Sequence, residues 1–488
     1  MTTRTAVPGH QSRPNSPYIQ DLIDLAQLPD FDRLQDQIQR LAGCRRPIRL
    51  SGTTTTTDAA TGAVLRSYST ASEPLGRLLL PCGNRRATRC PTCSAVYASD
   101  TYQLIKAGLA GGKEVPDTVR AHPRVFATLT APSFGPVHNR PTTATGHHRP
   151  CRCGTTHDAD APILGTPVHP ATYDYAGAVL FNAHAGALWA RFTTYLRREI
   201  ARRTKLTVKQ LREVARLSFA KVAEFQKRGL VHFHAVIRLD GPEGSTTPPP
   251  PWATADLLTA AITTAVPTVR LTTNSDAVGE RHLHWGAQLD VREITAPGGS
   301  TPLTDTAVAA YVAKYATKSA ETSGTVDRPL HCLPCNGHGW TRTPAGLGDE
   351  CQHCHGTGQA EPIRDLHVAT HVRQMIRTCW DLGQHPEFAP LKLWKWAHML
   401  GFKGHFSTKS RRYSTTLGAL RGARRTWRTE QARLRHNLPE FDPATTLVIS
   451  RWTYLGSGYS PGEELLAEHI RHTRTRERQA RHEGEDRP

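Results

Sequence analysis

The stretch KVAEFQKRGLVHFHAVIRLD, residues Lys221 to Asp240, predicts the local fold and the candidate site together. Apolar, β-prone segments flank Lys227-Arg228-Gly229. A three-residue loop with glycine last favours a type I turn that closes on a glycine bulge. The sequence therefore predicts a β-hairpin in which Glu224 lies directly opposite His232.

The alternation of side chains along a strand brings three metal-binding groups together in this hairpin. His232 and His234 share one face, whereas Phe233 points to the other. Directly opposed partners also share a face, so Glu224 joins the two imidazoles. Two imidazoles and one carboxylate leave coordination positions open. This pattern indicates a divalent metal that holds a substrate oxygen rather than a closed structural zinc.

Histidine pairs of this kind also arise by chance in a chain this rich in histidine, so the metal site has to be weighed against other interpretations. With 25 histidines in 488 residues, an H-x-H triplet is expected about once by chance, and the chain has three. They are His232/His234, His282/His284 and His353/His355. At the first pair, the alternative is two buried histidines whose hydrogen bonds are made within the core. The surrounding strand and the opposed carboxylate favour a metal site instead. His282/His284 is the rival pair, and no residue like Glu224 is obviously opposed to it.

A helix capped by Thr304 or Asp305 and running to about Ala320 is predicted next. Its apolar stripe consists of Ala309, Val312, Ala313, Ala316 and Ala320. Its opposite face carries Tyr311, Lys314, Tyr315 and Lys318. A phenol is a poor nucleophile until a metal or a cation favours its phenolate, and Lys314 would do this or neutralise a phosphate. The alternative is a pair of half-buried tyrosines that pack under a neighbouring element.

Three segments together resemble the HUH endonucleases that start rolling-circle replication. They are Val125–Thr130, an apolar strand that ends in Thr-Leu-Thr, the His-x-His strand Val231–Val236, and Tyr311–Tyr315 with its Tyr-x-x-Lys pattern. The stretches HPRVFATLTAPSFGPVH, KVAEFQKRG and GHFSTKSRRYSTTL are similar to replication initiators of actinobacterial plasmids and integrative elements. This closer resemblance extends from about Gly43 to Leu420.

The resemblance implies transesterification on single-stranded DNA at a plasmid origin, beside flanking duplex. Tyr311 attacks a phosphodiester, becomes joined to the 5′ phosphate and frees a 3′ hydroxyl for a host polymerase. Glu224, His232 and His234 hold Mg²⁺ or Mn²⁺, and Tyr315 serves a second cleavage. An HUH transposase or relaxase would share these residues. A non-catalytic, zinc-containing DNA-binding regulator is an alternative of another class, and it would never form a covalent adduct.

Composition agrees with a nucleic-acid partner. The net charge is +19 and the pI about 9.7, which indicates a polyanionic ligand. We expect no membrane partner and a cytoplasmic location, because no apolar run reaches about 18 residues and the N-terminus lacks a hydrophobic signal core. The sequence contains no G-x-x-x-x-G-K-[ST] motif, so strand separation is expected to need a host helicase or supercoiling.

The 11 cysteines of a chain expected in the cytoplasm indicate metal binding rather than disulfides. Two C-x-x-C pairs, each followed by glycines, predict a structural zinc site made of Cys332, Cys335, Cys351 and Cys354. A second site would combine Cys82, Cys90 and Cys93 with Cys44, around a loop at Thr53–Gly62. Reduced, buried thiols are the alternative there. A further zinc in the segment 133–170 would use residues from the set His147, His148, Cys151, Cys153 and His157, unless that segment is disordered.

Other elements and a basic DNA-binding region are predicted from periodicity and charge. Helices are expected at Tyr18–Leu41, Tyr175–Arg203, Ala253–Val266, Leu391–Phe402 and Thr415–Arg435, and strands at Arg124–Thr130 and Ala287–Ile294. The candidate phosphate contacts are Arg411, Arg412, Arg421, Arg424, Arg425 and Arg428. A merely solvated basic face is the alternative.

The expected architecture is α+β, an antiparallel-sheet HUH endonuclease core with zinc-binding modules and a helical basic C-terminal region. The division is 1–120 with a four-cysteine zinc site, 121–320 as the core with its insertion at 133–170, 321–362 as the second zinc module, 363–440 as the DNA-binding region, and 441–488 as a charged tail. A loosely held helix is expected in the tail from Glu464.

Overall fold

The computed structural model describes residues 16–143, 145–294, 303–318, 320–343, 346–435, 437, 442 and 444–485. The helices are α1 Pro17–Ala26, α2 Phe31–Arg40, α3 Pro91–Ala110, α4 Tyr175–Arg203, α5 Val208–Val214, α6 Ala255–Thr268, α7 Asp305–Ala316, α8 Thr370–Leu382, α9 Leu417–Arg435 and α10 Pro461–Glu485. The strands are β1 Ile48–Asp58, β2 Val64–Ser69, β3 Leu78–Leu80, β4 Arg124–Leu129, β5 Arg216–Phe225, β6 Val231–Asp240, β7 Leu271–Thr273, β8 Arg281–Leu283, β9 Leu289–Glu293, β10 Trp340–Thr343, β11 Gly346–Glu350, β12 Ser407–Lys409 and β13 Thr446–Ser457. Short 3₁₀ helices lie at Thr70–Ser72, Pro74–Gly76, Asp117–Ala121, Pro170–Thr172, Ala320–Ser323, Ile363–Asp365, Pro386–Leu391 and Leu393–Met399.

All strand pairs among these residues are antiparallel, which confirms the mixed helical and antiparallel-sheet class. The chain forms two compact units, one made of Met1–Tyr97 with Gly422–Pro488 and the other of Ala98–Arg421. The finer five-part division stays a prediction. No helix among the described residues is long and apolar enough to cross a membrane.

The first unit is built around β1, which pairs with β13 on one side and with β2 and β3 on the other. The loop predicted at Thr53–Gly62 is wrong for most of its length, because the run of β-branched threonines Thr53–Thr57 belongs to the second half of β1. The single helix predicted at Tyr18–Leu41 is two helices, since Pro29 cannot continue the first.

The first part of the charged tail packs within this unit rather than forming a loosely held helix, whereas residues 472–477 of the same helix are exposed. Helix α10 packs against α1 and α2. The carboxylate of Glu463 is fully buried and accepts a 2.6 Å hydrogen bond from the guanidinium of Arg77. A buried carboxylate without such a partner would be costly, so this contact fixes the start of α10.

The second unit contains a sheet in the order β12-β5-β6-β4-β9. Side chains alternate along β6. Phe233, Ala235, Ile237 and Leu239 belong to the main hydrophobic core, which the long helix α4 and helices α6 and α8 complete. Helix α4 has the bounds predicted from the sequence. The core therefore covers one face of the sheet and leaves the other for polar residues of β6.

That polar face carries His232 and His234 near one end of β6 and a buried ion pair near the other. The guanidinium of Arg238 donates to Asp240 at 2.5 Å and 2.9 Å, and both residues are fully buried. Burial alone would raise the pKa of Asp240, but hydrogen bonds from His122 and Arg238 outweigh it and lower the pKa. Helix α7 lies against β5, and its buried Asp305 pairs with Arg124 of β4 at 3.0 Å.

The prediction of a single Trp-rich helix at Leu391–Phe402 is wrong, because this segment is not α-helical. The chain forms the 3₁₀ helices Pro386–Leu391 and Leu393–Met399 instead. Lys392 and Leu400 adopt left-handed backbone conformations, each with φ of 50°, which α-helical hydrogen bonding cannot continue through. Helix α9, in contrast, covers nearly all of the predicted Thr415–Arg435.

Candidate active site and metal centres

The hairpin of β5 and β6 has the predicted register, with Glu224 paired directly to His232. The turn between the strands is closed by hydrogen bonds from the Gly229 amide to the Gln226 carbonyl and from the Gln226 amide to the Leu230 carbonyl, each 2.9 Å long. Gly229 has a φ of +75°, which favours glycine. The local turn chemistry therefore sets which side chains face each other.

Glu224, His232 and His234 converge on one point of the polar sheet face. Oε2 of Glu224 lies 3.0 Å from Nε2 of each histidine, and the two Nε2 atoms are 3.1 Å apart. The three groups are the only set with a carboxylate among the metal-type clusters of the described residues. One carboxylate oxygen and two imidazole nitrogens that converge in this way suit a divalent metal ion that keeps some coordination positions open for substrate.

The electrostatics of the cluster favour unprotonated ligands. Burial alone would raise the pKa of Glu224, but hydrogen bonds with His232 and His234 outweigh it and lower the pKa to about 2. Burial lowers the pKa of His234, against the opposing effect of Glu224. A carboxylate and a neutral imidazole are the forms that bind metal.

Strand β4 orients His234. The Oγ1 atom of Thr128 lies 3.0 Å from Nδ1 of His234, and the ring of Phe126 stacks on the imidazole at a centroid distance of 5.8 Å. The hydrogen bond at Nδ1 leaves Nε2 facing Glu224, as expected for a metal-binding histidine. This role of Thr128 was missed from the sequence, although the strand itself was predicted.

Helix α7 brings both tyrosines to the cluster. The Tyr311 hydroxyl lies 3.0 Å from Nε2 of His234, and the Tyr311 and Tyr315 rings are 4.5 Å apart. The opposite face of the helix is buried, as predicted. Burial, together with the charge of Glu224, raises the pKa of both tyrosines. The phenols are therefore close to the cluster but protonated without further help.

The lysines of α7 lie nearer to the second tyrosine than to the first. Nζ of Lys318 is 4.3 Å and Nζ of Lys314 is 5.9 Å from the centre of the Tyr315 ring. Lys314 is exposed. Among the cation–ring contacts of the described residues, Lys314 therefore lies beside Tyr315 and not beside Tyr311. Its role in favouring a phenolate or neutralising a phosphate stays a prediction.

The rival pair His282/His284 does not form a comparable cluster in the described part of the chain. His282 is largely exposed and pairs with Glu280 at 3.1 Å. His284 donates through Nδ1 to the carbonyl of Trp285 at 2.7 Å. The two imidazole rings therefore contact different partners and do not converge on a common point.

Both predicted four-cysteine sets are brought together. The Sγ atoms of Cys332 and Cys351 are 3.9 Å apart and those of Cys335 and Cys354 3.7 Å apart. The amides of Gly339 and Gly358 each donate to a thiol sulfur at 3.3 Å. In the first unit, Cys44, Cys82, Cys90 and Cys93 have sulfur–sulfur distances of 3.6–3.8 Å. These sets fit zinc.

A fourth cluster lies in the segment 133–170. It consists of His138, Cys151, Cys153 and His157. His147 and His148, which the sequence offered as candidates, are exposed and outside it. His138 was missed because it lies well ahead of the cysteines in the chain.

Comparison with known proteins shows the relationship of the whole chain. Residues 30–472 match the family described as RepSA, replication initiator protein, pSAM2. The chain belongs to the RepSA family. A replication initiator protein of Streptomyces ambofaciens is 51% identical over 452 residues, which cover 92% of this chain and 91% of the relative. No solved structure matches the chain.

The candidate DNA-binding arginines of this RepSA-family chain fall into two groups. Arg411 and Arg412 line an open cavity of about 530 Å³. The other arginines of that cavity, missed from the sequence, are Arg197, Arg212 and Arg216. Helix α9 carries the second group, in which Arg421, Arg425 and Arg428 are exposed and Arg424 is half-buried. Arg421 also lies 4.0 Å from Asp100.

Few acidic groups offset the charge of the cavity. Arg412 pairs with Glu243 at 2.6 Å, and the hydroxyl residues Ser218 and Ser410 add neutral polar groups to the lining. Arginines on four separate segments converge there, so no local sequence pattern indicated the cavity. Guanidinium groups in such a density are suited to phosphate.

Proposed function

We propose that this protein is an HUH-type initiator of plasmid rolling-circle replication, which nicks and rejoins one DNA strand at the origin. The observation that carries the proposal is the position of the Tyr311 hydroxyl beside Glu224, His232 and His234. A nucleophile next to a cluster of metal-type ligands suits phosphoryl transfer. Membership in the RepSA family supports a role in initiation.

In the proposed reaction the Tyr311 oxygen forms a bond to phosphorus and the bond from phosphorus to the 3′ oxygen breaks. Tyr311 loses its proton, and the leaving 3′ oxygen gains one to become a 3′ hydroxyl. The products are a 5′-phosphotyrosine link and a primer end for a host polymerase. Attack by a new 3′ hydroxyl reverses the step and closes the circle.

The ligands fit the metal that the reaction requires. Glu224, His232 and His234 would hold Mg²⁺ or Mn²⁺, which would polarise the phosphate and offset its charge. Thr128 keeps Nε2 of His234 directed at the ligand point. Because burial raises the pKa of Tyr311, a nearby positive charge is needed to favour its phenolate.

The second tyrosine and the lysines have distinct proposed roles. Tyr315, a turn below Tyr311, would make the second cut when the circle is completed. Lys314, which is exposed on the same helix, would neutralise the scissile phosphate. Lys318 lies over the Tyr315 ring at 4.3 Å and would assist that tyrosine.

The arginine cavity would bind backbone phosphates of the flanking duplex. Arg216 opens β5 and Glu224 lies eight residues further along, so the cavity and the ligand cluster are roughly 26 Å apart. That distance corresponds to about eight base pairs at 3.4 Å per step. Phosphate contacts in the cavity would therefore position the origin while the nick site reaches the tyrosines. The arginines of α9 would add phosphate contacts of their own. Strand separation would depend on a host helicase.

One experiment tests the proposal directly. The protein is incubated with labelled single-stranded origin DNA and Mn²⁺, and the mixture is run on a denaturing gel. A labelled protein band that survives denaturation and disappears with chelator is expected. Origin binding without any such band would favour a non-catalytic DNA-binding regulator and would contradict the proposal.

A further inference from the structure

The segment between β4 and α4 consists of turns joined by backbone hydrogen bonds rather than of regular secondary structure. Its described residues from 133 to 169 contain no helix or strand, only isolated bridges such as Val137 with Pro167. Four metal-type side chains nevertheless meet inside it. An ion bound by these side chains would cross-link turns that are otherwise joined by local backbone hydrogen bonds.

The ligand atoms have the spacing of a tetrahedral metal site. Nδ1 of His138 lies 3.3 Å from Nε2 of His157, Sγ of Cys153 lies 3.3 Å from that Nε2, and Sγ of Cys151 lies 4.0 Å from Nδ1 of His138. All four atoms lie within 4.8 Å of one another. A zinc ion with bonds of about 2.3 Å to sulfur and 2.05 Å to nitrogen separates its ligand atoms by roughly 3.4–3.8 Å.

The surroundings of Cys151 resemble those of the two four-cysteine sets. Cys151 is only 3% exposed, and the Asn139 amide donates to its sulfur at 3.5 Å. Amides of Gly339 and Gly358 contact cysteine sulfurs in the same way. Amide donors of this kind stabilise thiolates, which are the form that binds zinc.

Backbone contacts connect this cluster to the hairpin of the candidate active site. The His138 carbonyl accepts from the Gly165 amide at 2.8 Å. Gly165 in turn packs against Lys227 of the hairpin turn, where a Cβ on Gly165 would lie 2.5 Å from the Lys227 carbonyl carbon. Nζ of Lys227 also donates to the carbonyl of Ala159 at 3.2 Å.

The turn is tied to the start of the segment as well. The guanidinium of Arg228 donates to the carbonyls of Ala131 and Pro132 at 2.8 Å and 2.9 Å. Both ends of the segment thus contact the turn between Glu224 and His232. A loop fixed in shape at its centre can brace that turn.

We propose that His138, Cys151, Cys153 and His157 bind a further zinc ion, which holds residues 133–167 against the hairpin turn. The zinc site stands independently of the proposed nicking reaction. Its four residues position the hairpin and do not touch substrate.

Metal content of the full-length protein tests the zinc site. After dialysis against a weak chelator, zinc per chain is measured by mass spectrometry for the wild type, for Cys151→Ser/Cys153→Ser, and for His147→Ala/His148→Ala. We expect about one equivalent less in the cysteine variant only. The histidine control removes two exposed side chains of the same segment that lie outside the cluster. Equal zinc in the wild type and the cysteine variant would overturn the site.

A second measurement guards against general misfolding. The zinc that remains on the four-cysteine sets should resist chelator equally in wild type and variant. Amide hydrogen exchange should accelerate in residues 133–167 and in the turn at 226–230, and stay unchanged in α10. Faster exchange in the segment without any change in the turn would overturn the bracing role.

Discussion

The hydroxyl of Tyr311 and Nε2 of His234 lie 3.0 Å apart, so one imidazole nitrogen faces both a candidate nucleophile and a carboxylate. The Tyr315 ring is farther from this histidine, with its centre 5.8 Å from that of the imidazole against 4.9 Å for Tyr311. The two tyrosines of α7 are therefore not equivalent. The Tyr315 hydroxyl contacts Glu224 instead. In the proposed reaction the contact with His234 favours Tyr311 for the first attack.

Exchange of each tyrosine for phenylalanine should separate their roles. Tyr311→Phe removes only the attacking oxygen, so DNA binding should persist while adduct formation falls by orders of magnitude. Tyr315→Phe should still form the adduct in a single round but fail to close the circle. The mass of the nucleotide-bearing peptide from wild-type adduct decides the assignment, and a nucleotide on Tyr315 alone would reverse it.

Loss of either histidine ligand should abolish nicking. His232→Ala or His234→Ala removes one of three converging groups, while the arginines proposed to bind duplex lie elsewhere. His282→Ala is the matched control, since that ring is largely exposed and outside the cluster. Nicking assays and duplex gel shifts are run side by side. Equal loss of nicking in all three variants would mean that the wrong pair was chosen.

The metal requirement should depend on pH. The pKa of Glu224 is lowered to about 2, and burial lowers that of His234 below its ordinary value. The Glu224 carboxylate and the His234 imidazole are therefore unprotonated at neutral pH, and protons compete with metal at His234 only as the pH falls below the ordinary histidine pKa of about 6.5. We expect the Mn²⁺ concentration for half-maximal adduct to rise below that pH, with excess Mn²⁺ restoring the yield. A requirement that stays constant down to about pH 5 would contradict this.

The module of Cys332, Cys335, Cys351 and Cys354 should depend on zinc for its fold. Among the described residues its buried cluster consists of the four cysteines, so metal binding is expected to supply much of the folding free energy. Cys332→Ser or Cys354→Ser should lose about one zinc and expose residues 330–360 to proteolysis. His353→Ala, an exposed neighbour of Cys354, is the control. A fully active variant with unchanged zinc would show that the cysteines are simply buried thiols.

The arginine cavity should contribute to affinity rather than to chemistry. Arg212→Ala/Arg411→Ala should weaken duplex binding and reduce the slope of log affinity against log salt by about one for each phosphate that the variant no longer binds. Adduct formation on short single strands should change little. Arg202→Ala, which removes an exposed arginine paired with Glu199, is the control. An unchanged salt slope in the double variant would exclude phosphate binding in the cavity.

Local patterns predicted the parts of the site that depend on neighbours in the chain. Glu224 and His232 are eight residues apart, and a single turn sets their pairing. Tyr311 and Tyr315 share a helix face because they are one turn apart. Thr128 and His234, in contrast, meet only after β4 pairs with β6. No periodicity specifies such pairing, so the orienting hydrogen bond could not be predicted.

Interactions between distant segments account for the other errors. The polar run Thr53–Thr57 predicts a loop when only its neighbours in the chain are considered. Its β-branched residues nevertheless form a strand, because β13 pairs with them. His138 joins its cluster only after the segment folds back. Lys392 and Leu400 adopt the left-handed backbone although neither residue type favours it, so their sequence offers no signal for it.

The pairing of β1 with β13 also sets an order of events during synthesis. Thr54 and Ser450 contact each other across 396 residues. At about 5–20 residues per second, a ribosome needs roughly 20–80 s to add that length. Residues 98–421 emerge in the interval and can fold before β1 receives its last partner. Cys44, Cys82, Cys90 and Cys93 all emerge early, so zinc can hold the first part of its unit while the remaining strand is still being translated.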